Sequence, residues 1–183
     1  MITITVDDQS ILAALEHLRA RIGDLTPAMQ NIGEHLSETT KRRFETSTSP
    51  DGQRWAPNSP VTILQYLHVK SGKYDDEGKR TGDKKGYYLQ DGRIGAKGID
   101  AVMGKKPLIG ESRSLMSTIH YRANADSVEV GSPMEYAAVQ QFGAKAHQFG
   151  RSPWGDIQAR PFIGLSNEDR RSIMDIISGY LSA

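Results

Sequence analysis

The sequence contains no cysteine. Disulfide frameworks and thiolate metal sites are therefore excluded, and a reducing compartment is the natural setting for folding. Aromatic residues make up only 7% of the chain, so most of a core must come from aliphatic side chains. No window approaches the roughly 18 apolar residues that a membrane-spanning helix requires. The opening MITITVDDQS has neither the basic stretch nor the apolar core of a signal peptide. The expectation is a protein made and assembled in the cytosol, with no membrane partner.

Catalytic and metal-binding patterns are also missing. The five histidines, His17, His35, His68, His120 and His147, are isolated, with no H-x-x-x-H or H-x-H pair to share an ion. GIDAVMGKK (Gly98–Lys106) resembles a phosphate-binding loop at a glance. It has one residue too many between its glycines, and Lys106 stands where a magnesium-binding Ser or Thr belongs. Gly92, Gly95 and Gly98 are wrongly spaced for a dinucleotide fingerprint. GESRS (Gly110–Ser114) lacks the closing glycine of a nucleophile elbow. Asp75, Asp76 and Glu77 lie in a polar stretch where carboxylates are solvated rather than tuned. No catalytic residue, cofactor or metal ligand is assigned, and no enzyme activity is expected.

What the chain does hold is enough for one domain. Its 183 residues are 37% hydrophobic and 25% charged, a soluble composition at a length that buries roughly 70% of the unfolded surface without staples. Ile2, Ile4 and Val6 alternate as in a short strand and run into a helix start at Asp7-Asp8. Ile11, Leu15, Leu18 and Ile22 predict a helix from about Gln9 to Ile22, stopped by Gly23. Thr26-Pro27 opens a second helix, with Thr26 as the expected cap. Met29, Ile32, Leu36 and Phe44 fall near one face of it, and Lys41, Arg42 and Arg43 lie in its last turns, where cations suit the negative helix end.

The turn-rich stretch Thr46–Pro60 precedes a short helix at about Val61–Val69. Ser114–Tyr121 reads as a turn of helix or a strand start, Ser127–Val130 as a strand, and Glu135–Phe142 as a short helix stopped by Gly143. Arg160–Gly164 is expected as an edge strand, because Pro161 has no amide for a central ladder. Ser166 and Asp169 form a capping-box pattern before a last helix with Ile173, Ile176, Ile177, Tyr180 and Leu181 on its apolar face. The expectation is a single α+β domain over 1–183, a small mostly antiparallel sheet packed with about four helices.

Residues 70–106 stand apart. They hold eight of the eighteen glycines, and ten Lys/Arg against six Asp/Glu, a balance of +4, while the rest of the chain is at −3. Amphipathic periodicity is absent except near YYLQDGRIGA, where Asp91-Gly92 suits a hairpin turn between Tyr88 and Ile94. The segment reads as an inserted extended arm or hairpin. Lys73, Lys79, Arg80, Lys84, Lys85, Arg93 and Lys97, interleaved with Tyr87 and Tyr88, mix cations with stacking rings as nucleic-acid binders do. Three readings stay open: a hydrated loop, contact with DNA, or contact with a neighbouring subunit.

Three segments, SPDGQRWAPNSP (Ser49–Pro60), YAAVQQFG (Tyr136–Gly143) and ARPFIGLS (Ala159–Ser166), occur in that order before the terminal amphipathic helix. The set resembles the phage virion morphogenesis family, the tail-completion proteins of Mu-like and related temperate phages. Two departures from the family pattern are Gln140, where histidine is more usual, and the stretch before Leu115, which lacks a glycine. The resemblance covers both ends and the middle of the chain and is weakest over 70–106. It implies a structural virion protein at the neck or proximal tail, forming a six-fold ring at the head–tail interface.

Its partners would be further copies of itself, neck or connector and tail-tube proteins, and non-specific genomic DNA in the channel. A closed ring requires two different complementary surfaces on each subunit. The candidates are Arg54 and Trp55 in one loop, and Tyr136, Phe142, Trp154, Arg160 and Phe162 around another. The alternative for both tryptophans is that they plug the subunit's own core. The main rival function is a DNA-binding module acting through residues 70–106, followed by a peptidase or nuclease.

Overall fold

The computed structural model describes residues 2–3, 8–22, 24–72, 82–83, 86–90, 92–110, 112–148 and 155–182. In chain order its elements are β1 (Ile2–Thr3), α1 (Gln9–Ile22), α2 (Thr26–Thr46), α3 (Pro60–Ser71), α4 (Ala96–Met103), α5 (Ser114–Ser117), β2 (His120–Ala123), β3 (Val128–Ser132), α6 (Ala137–Phe142) and α7 (Asn167–Ser182). The class is α+β, as expected, with seven helices among the described residues where about four were anticipated. The chain divides into two compact units, residues 1–56 with 108–183, and residues 57–107.

The first unit is organised by α2. Its start differs from the sequence expectation: Thr26 is the first helical residue and caps nothing with its hydroxyl. Instead the Asp24 carboxylate accepts the Thr26 amide at 2.9 Å, and Pro27, which has no amide to satisfy, fills the first turn. Asp8 serves α1 in the same way, accepting the Ser10 amide at 3.2 Å. Its other oxygen takes Arg170 Nε of α7 at 3.0 Å, which ties the two helix starts together.

Two hydrophobic clusters hold this unit. One joins Leu25, Ala28, Met29 and Ile32 of α2 and its approach to Ile173 and Ile177 of α7, four residues apart and so on one helix face. The second gathers Phe44, Trp55, Leu115, Ile119, Val130 and Phe162. Burial of each large side chain stabilises the fold by about 1.5–3 kcal/mol. β3 is the centre of the sheet, antiparallel to β1 on one side and β2 on the other, with Tyr121 opposite Val130. α2 packs on β2 and β3. Gly33 permits the approach, since a Cβ there would sit 2.3 Å from the Tyr121 ring.

The segment expected as an edge strand, Arg160–Gly164, is not a strand. Its backbone groups bond to side chains and, for the Arg160 amide, to Gln140 O of α6 at 2.7 Å rather than to a ladder. Ser114–Tyr121 resolves into both alternatives, α5 followed by the first residues of β2. Residues 4–7, with the alternation of Ile4 and Val6, lie outside the described residues.

The second unit contains α3, a hairpin and α4. Ser59 caps α3, its hydroxyl accepting the Thr62 amide at 3.2 Å, with Pro60 in the first turn. Tyr88 and Ile94 pair, with Leu89 N donating to Arg93 O at 2.7 Å and Gly92 N to Leu89 O at 2.9 Å; Asp91, read as part of the turn, lies outside the described residues. Asn58 Nδ2 donates to Lys105 O at 3.1 Å, and the Lys105 ammonium stands 4.9 Å from the centre of the Tyr66 ring. The helix α4 was not legible in the sequence, because a mid-helix glycine, Gly98, interrupts its pattern.

Candidate functional site

Residues 49–56 of the first sequence segment singled out above meet the other two segments in the first unit. ARPFIGLS forms a strap, residues 159–166, that runs without regular structure past α2, α6 and the loop carrying Trp55. Each neighbour grips it with a side chain. Trp55 Nε1 donates to Pro161 O at 2.8 Å, and Arg160 Nε donates to Ala56 O at 2.9 Å. The Gln141 amide oxygen accepts from Phe162 N at 2.9 Å and Ile163 N at 3.1 Å, while its Nε2 donates to Ile163 O at 2.9 Å. The side chain thus mimics a neighbouring strand. Arg43 Nη1 donates to Phe162 O at 3.1 Å and Gly164 O at 2.9 Å.

The loop that supplies Trp55 is itself a tight turn. Gly52 N donates to Ser49 O at 2.9 Å, Ser49 N to Gln53 O at 2.8 Å, and Trp55 N to Ser47 O at 2.9 Å. The turn delivers Trp55 edge-on to Phe44, with ring centroids 5.4 Å apart, and Phe162 of the strap lies 5.2 Å from Phe44 on another side. Gly143, just past α6, has φ +75°, and a Cβ there would sit 2.7 Å from Ile157 O. That close approach lets the chain after α6 pair Ala144 with Ile157 and return as the strap.

Asp169 closes the arrangement. Its carboxylate accepts Ser166 N at 2.8 Å and Ser166 Oγ at 2.7 Å, and Ser166 Oγ accepts Asp169 N at 3.0 Å, the reciprocal box read from the sequence. The same carboxylate pairs with Arg43 Nη2, and its other oxygen lies 3.4 Å from His35 Nε2. Burial on its own raises the Asp169 pKa. The backbone and hydroxyl of Ser166, the Arg43 charge and the Thr39 hydroxyl outweigh it and hold the carboxyl below its ordinary value. For Arg43 burial dominates and lowers the pKa, against the pull of Asp169. Arg43 and Asp169 are both buried, so the pair is a structural lock between α2, the strap and α7.

Burial also sorts the residues expected at an interface. Trp55 is 6% exposed and Phe162 fully buried; both are core residues of their own subunit, which removes them from any surface a neighbour reaches in this fold. Arg160 is half-buried against the Trp55 loop, and Arg54 is exposed. Tyr136 and Phe142 are 46% and 66% exposed. Trp154 lies outside the described residues. Of the residues expected to contact DNA or a neighbour through segment 70–106, Arg93 and Lys97 are exposed and Tyr87 and Tyr88 half-buried. Lys73, Lys79, Arg80, Lys84 and Lys85 lie outside the described residues.

Sequence reasoning missed the clamp residues Arg43 and Gln141. In sequence Arg43 reads as one of three cations suited to the helix end, although it shares the inner face with Leu36 and Thr40. Gln141, beside buried Ala137 on α6, carried the signal of a polar residue on an apolar face.

A cavity of ≈ 330 Å³ lies among α1, α2 and β3, lined by Ile11, Leu15, Met29, Ile32, Val128 and Leu165 among others. Its polar lining consists of the carboxylates Asp8, Asp126 and Glu129 and the hydroxyls of Thr40 and Ser127, with no histidine beside them. No group of three or more metal-ligating side chains occurs among the described residues. No helix among them is long and apolar enough to cross a membrane.

Comparison with known proteins gives two matches. The sequence profile of the phage virion morphogenesis family matches residues 6–81 and 97–182. Mu-like prophage FluMu G protein 2 of Haemophilus influenzae is 38% identical over 181 residues, covering 98% of this chain and 96% of that protein. No solved structure gives a significant match.

Proposed function

The chain belongs to the phage virion morphogenesis family, so its role lies in building a phage particle, and on that premise we propose that it is a tail-completion or neck protein that forms a ring where head meets tail. The nearly full-length match to a Mu-like prophage protein carries the reading. The structure supports it by its manner of construction. The buried polar groups at the strap are occupied in holding three segments rigid, and Gln141, Arg43 and Asp169 are spent on backbone and capping contacts. The reading is of a structural part and not an enzyme, with copies of itself, neck proteins and tail-tube proteins as partners. It resides in the virion after assembly in the host cytoplasm. Interfaces of standard size, about 800 Å² per partner, suffice to close such a ring without covalent links.

The test is deletion of the gene from an inducible prophage, followed by electron microscopy of the lysate and mass spectrometry of particles from the complemented strain. Filled heads and separate tails, restored to joined particles by the gene in trans, are expected, with the protein present in purified virions. Complete, infectious particles without the gene would overturn the proposal. DNA binding through residues 70–106 predicts retention on a DNA resin that weakens steeply with salt. The charge outside the segment, 13 basic against 16 acidic residues, offers DNA no further basic surface and favours the ring.

A further inference from the structure

The second unit leaves an unusually large share of its apolar side chains uncovered. Among its described residues Leu67 is the one large aliphatic that is fully buried, while Val61, Leu64, Val69, Leu89, Ile99 and Met103 are all exposed. A segment the size of residues 57–107 buries too small a fraction of its surface to be comfortable alone. The imbalance is sharpest on α4. With 3.6 residues per turn, Gly98, Val102, Ile99 and Met103 follow one another around a single apolar side. Gly98 is buried, against Tyr87 O and Ile94 of the hairpin. Ile99, at 50% exposure, and Met103, at 82%, continue that side into solvent. Among the described residues one half of this apolar helix face is packed and the other half is exposed.

The first unit has a matching feature. On α6 and its first flanking residue, Tyr136, Val139 and Phe142 are spaced three apart and form an outward stripe, while Ala137 and Gln141 face inward and are buried. Aromatic rings on one surface and a methionine with an isoleucine on the other make a favourable apolar pairing. The two units also carry opposite charge. Residues 57–107 hold the +4 balance and the remainder −3, which favours contact between unlike units of two copies over contact between like ones.

From this juxtaposition we infer that the Ile99–Met103 side of α4 in one copy docks on the Tyr136–Phe142 stripe of α6 in a second copy. The contact is head-to-tail, the kind that generates a ring when the rotation closes. It deepens the ring reading and rests on it, by assigning the two unlike surfaces that such a ring needs. DNA is a poor occupant for the α4 face, since Ile99 and Met103 offer neither cations to phosphates nor rings to bases.

The absence of native cysteine makes cross-linking clean. Two single variants, Met103→Cys and Phe142→Cys, are mixed as full-length proteins and treated with an oxidant or a flexible bis-maleimide, and the double variant is treated in the same way within complemented particles. A mixed dimer that needs both variants, and a ladder of covalent multimers in particles, are the expected products. A product formed within one chain overturns the inference in favour of intramolecular docking. A Met103→Cys dimer without Phe142→Cys overturns it in favour of a two-fold contact. No cross-link from a protein that is nonetheless present in particles overturns it while leaving the ring reading standing; a protein absent from particles defeats that reading first. Ile99→Asp, which changes an exposed residue and so keeps the fold, is expected to raise the dissociation constant at least about tenfold. An unchanged constant counts against the α4 face.

Discussion

Asp169 shows how much one buried carboxylate can organise: it caps α7, pairs with Arg43 and faces His35. Replacing it by Asn leaves the Arg43 charge buried without its counter-ion, a change that costs about 3–5 kcal/mol when a buried pair is broken. Chemical denaturation of Asp169→Asn at neutral pH measures this, and an unchanged midpoint would refute the lock. The pH dependence has a definite sign. The folded carboxyl is held below its ordinary value, and the unfolded one titrates near the ordinary aspartate value of about 3.9. Its contribution is therefore complete above the unfolded pKa and is lost as pH falls through the folded one. Wild-type stability is expected to drop on the acid side with a slope that Asp169→Asn lacks. Trp55 decides between the two roles its loop left open. A tryptophan bounded by turn residues can anchor a neighbour or plug its own core, and here the turn points it inward, onto Phe44 and the strap.

The strap, residues 159–166, is the element whose character the sequence misjudged most. Pro161 indicated an edge strand, and the physical reasoning about its missing amide was sound. The partner, however, is the side chain of Gln141, which takes two amides and gives one donor to a single residue pair. Such a contact joins residues about twenty positions apart and leaves no periodicity to read. In Gln141→Ala these backbone groups lose their partners, at about 1–3 kcal/mol for each one left unsatisfied. Hydrogen exchange at the Phe162 and Ile163 amides is expected to accelerate well beyond that of the α2 interior. Equal protection at those two amides in the variant would show that the strap is held by other means. The helices α1, α2 and α7 were legible because their apolar spacing is long and regular. α4 was hidden by its glycine and by an apolar side that has little covering it.

For the whole molecule, the division into two units places both hydrophobic clusters in the first, their buried members running from Leu25 to Trp55 and from Leu115 to Ile177. Replacing residues 58–106 by a Gly/Ser linker therefore removes no member of either cluster, and the cost of loop closure changes slowly with length. The shortened chain is expected to melt in one cooperative transition, with the circular dichroism of a folded α+β protein, and to fail to assemble. A chain without a melting transition would mean that the first unit depends on the second to fold. Retained assembly would remove the second unit from the ring contacts.

By itself the sequence determined what depends on neighbours along the chain: the long helices, the turn-rich stretch Thr46–Pro60, the pairing of Tyr88 with Ile94, the cap of α7, the charge contrast of 70–106 and the resemblance carried by three short motifs. These rest on local periodicity, backbone preference and composition, which one strand of text contains in full. Tertiary structure alone decided that the three motifs converge on one strap, that Trp55 and Phe162 are core, that Arg43 is buried rather than solvated, and that Ile99, Met103, Tyr136 and Phe142 remain outside. Burial depends on what the folded chain brings from elsewhere. An apolar or charged side chain looks the same in sequence whether its partner is forty residues away or in another copy of the molecule.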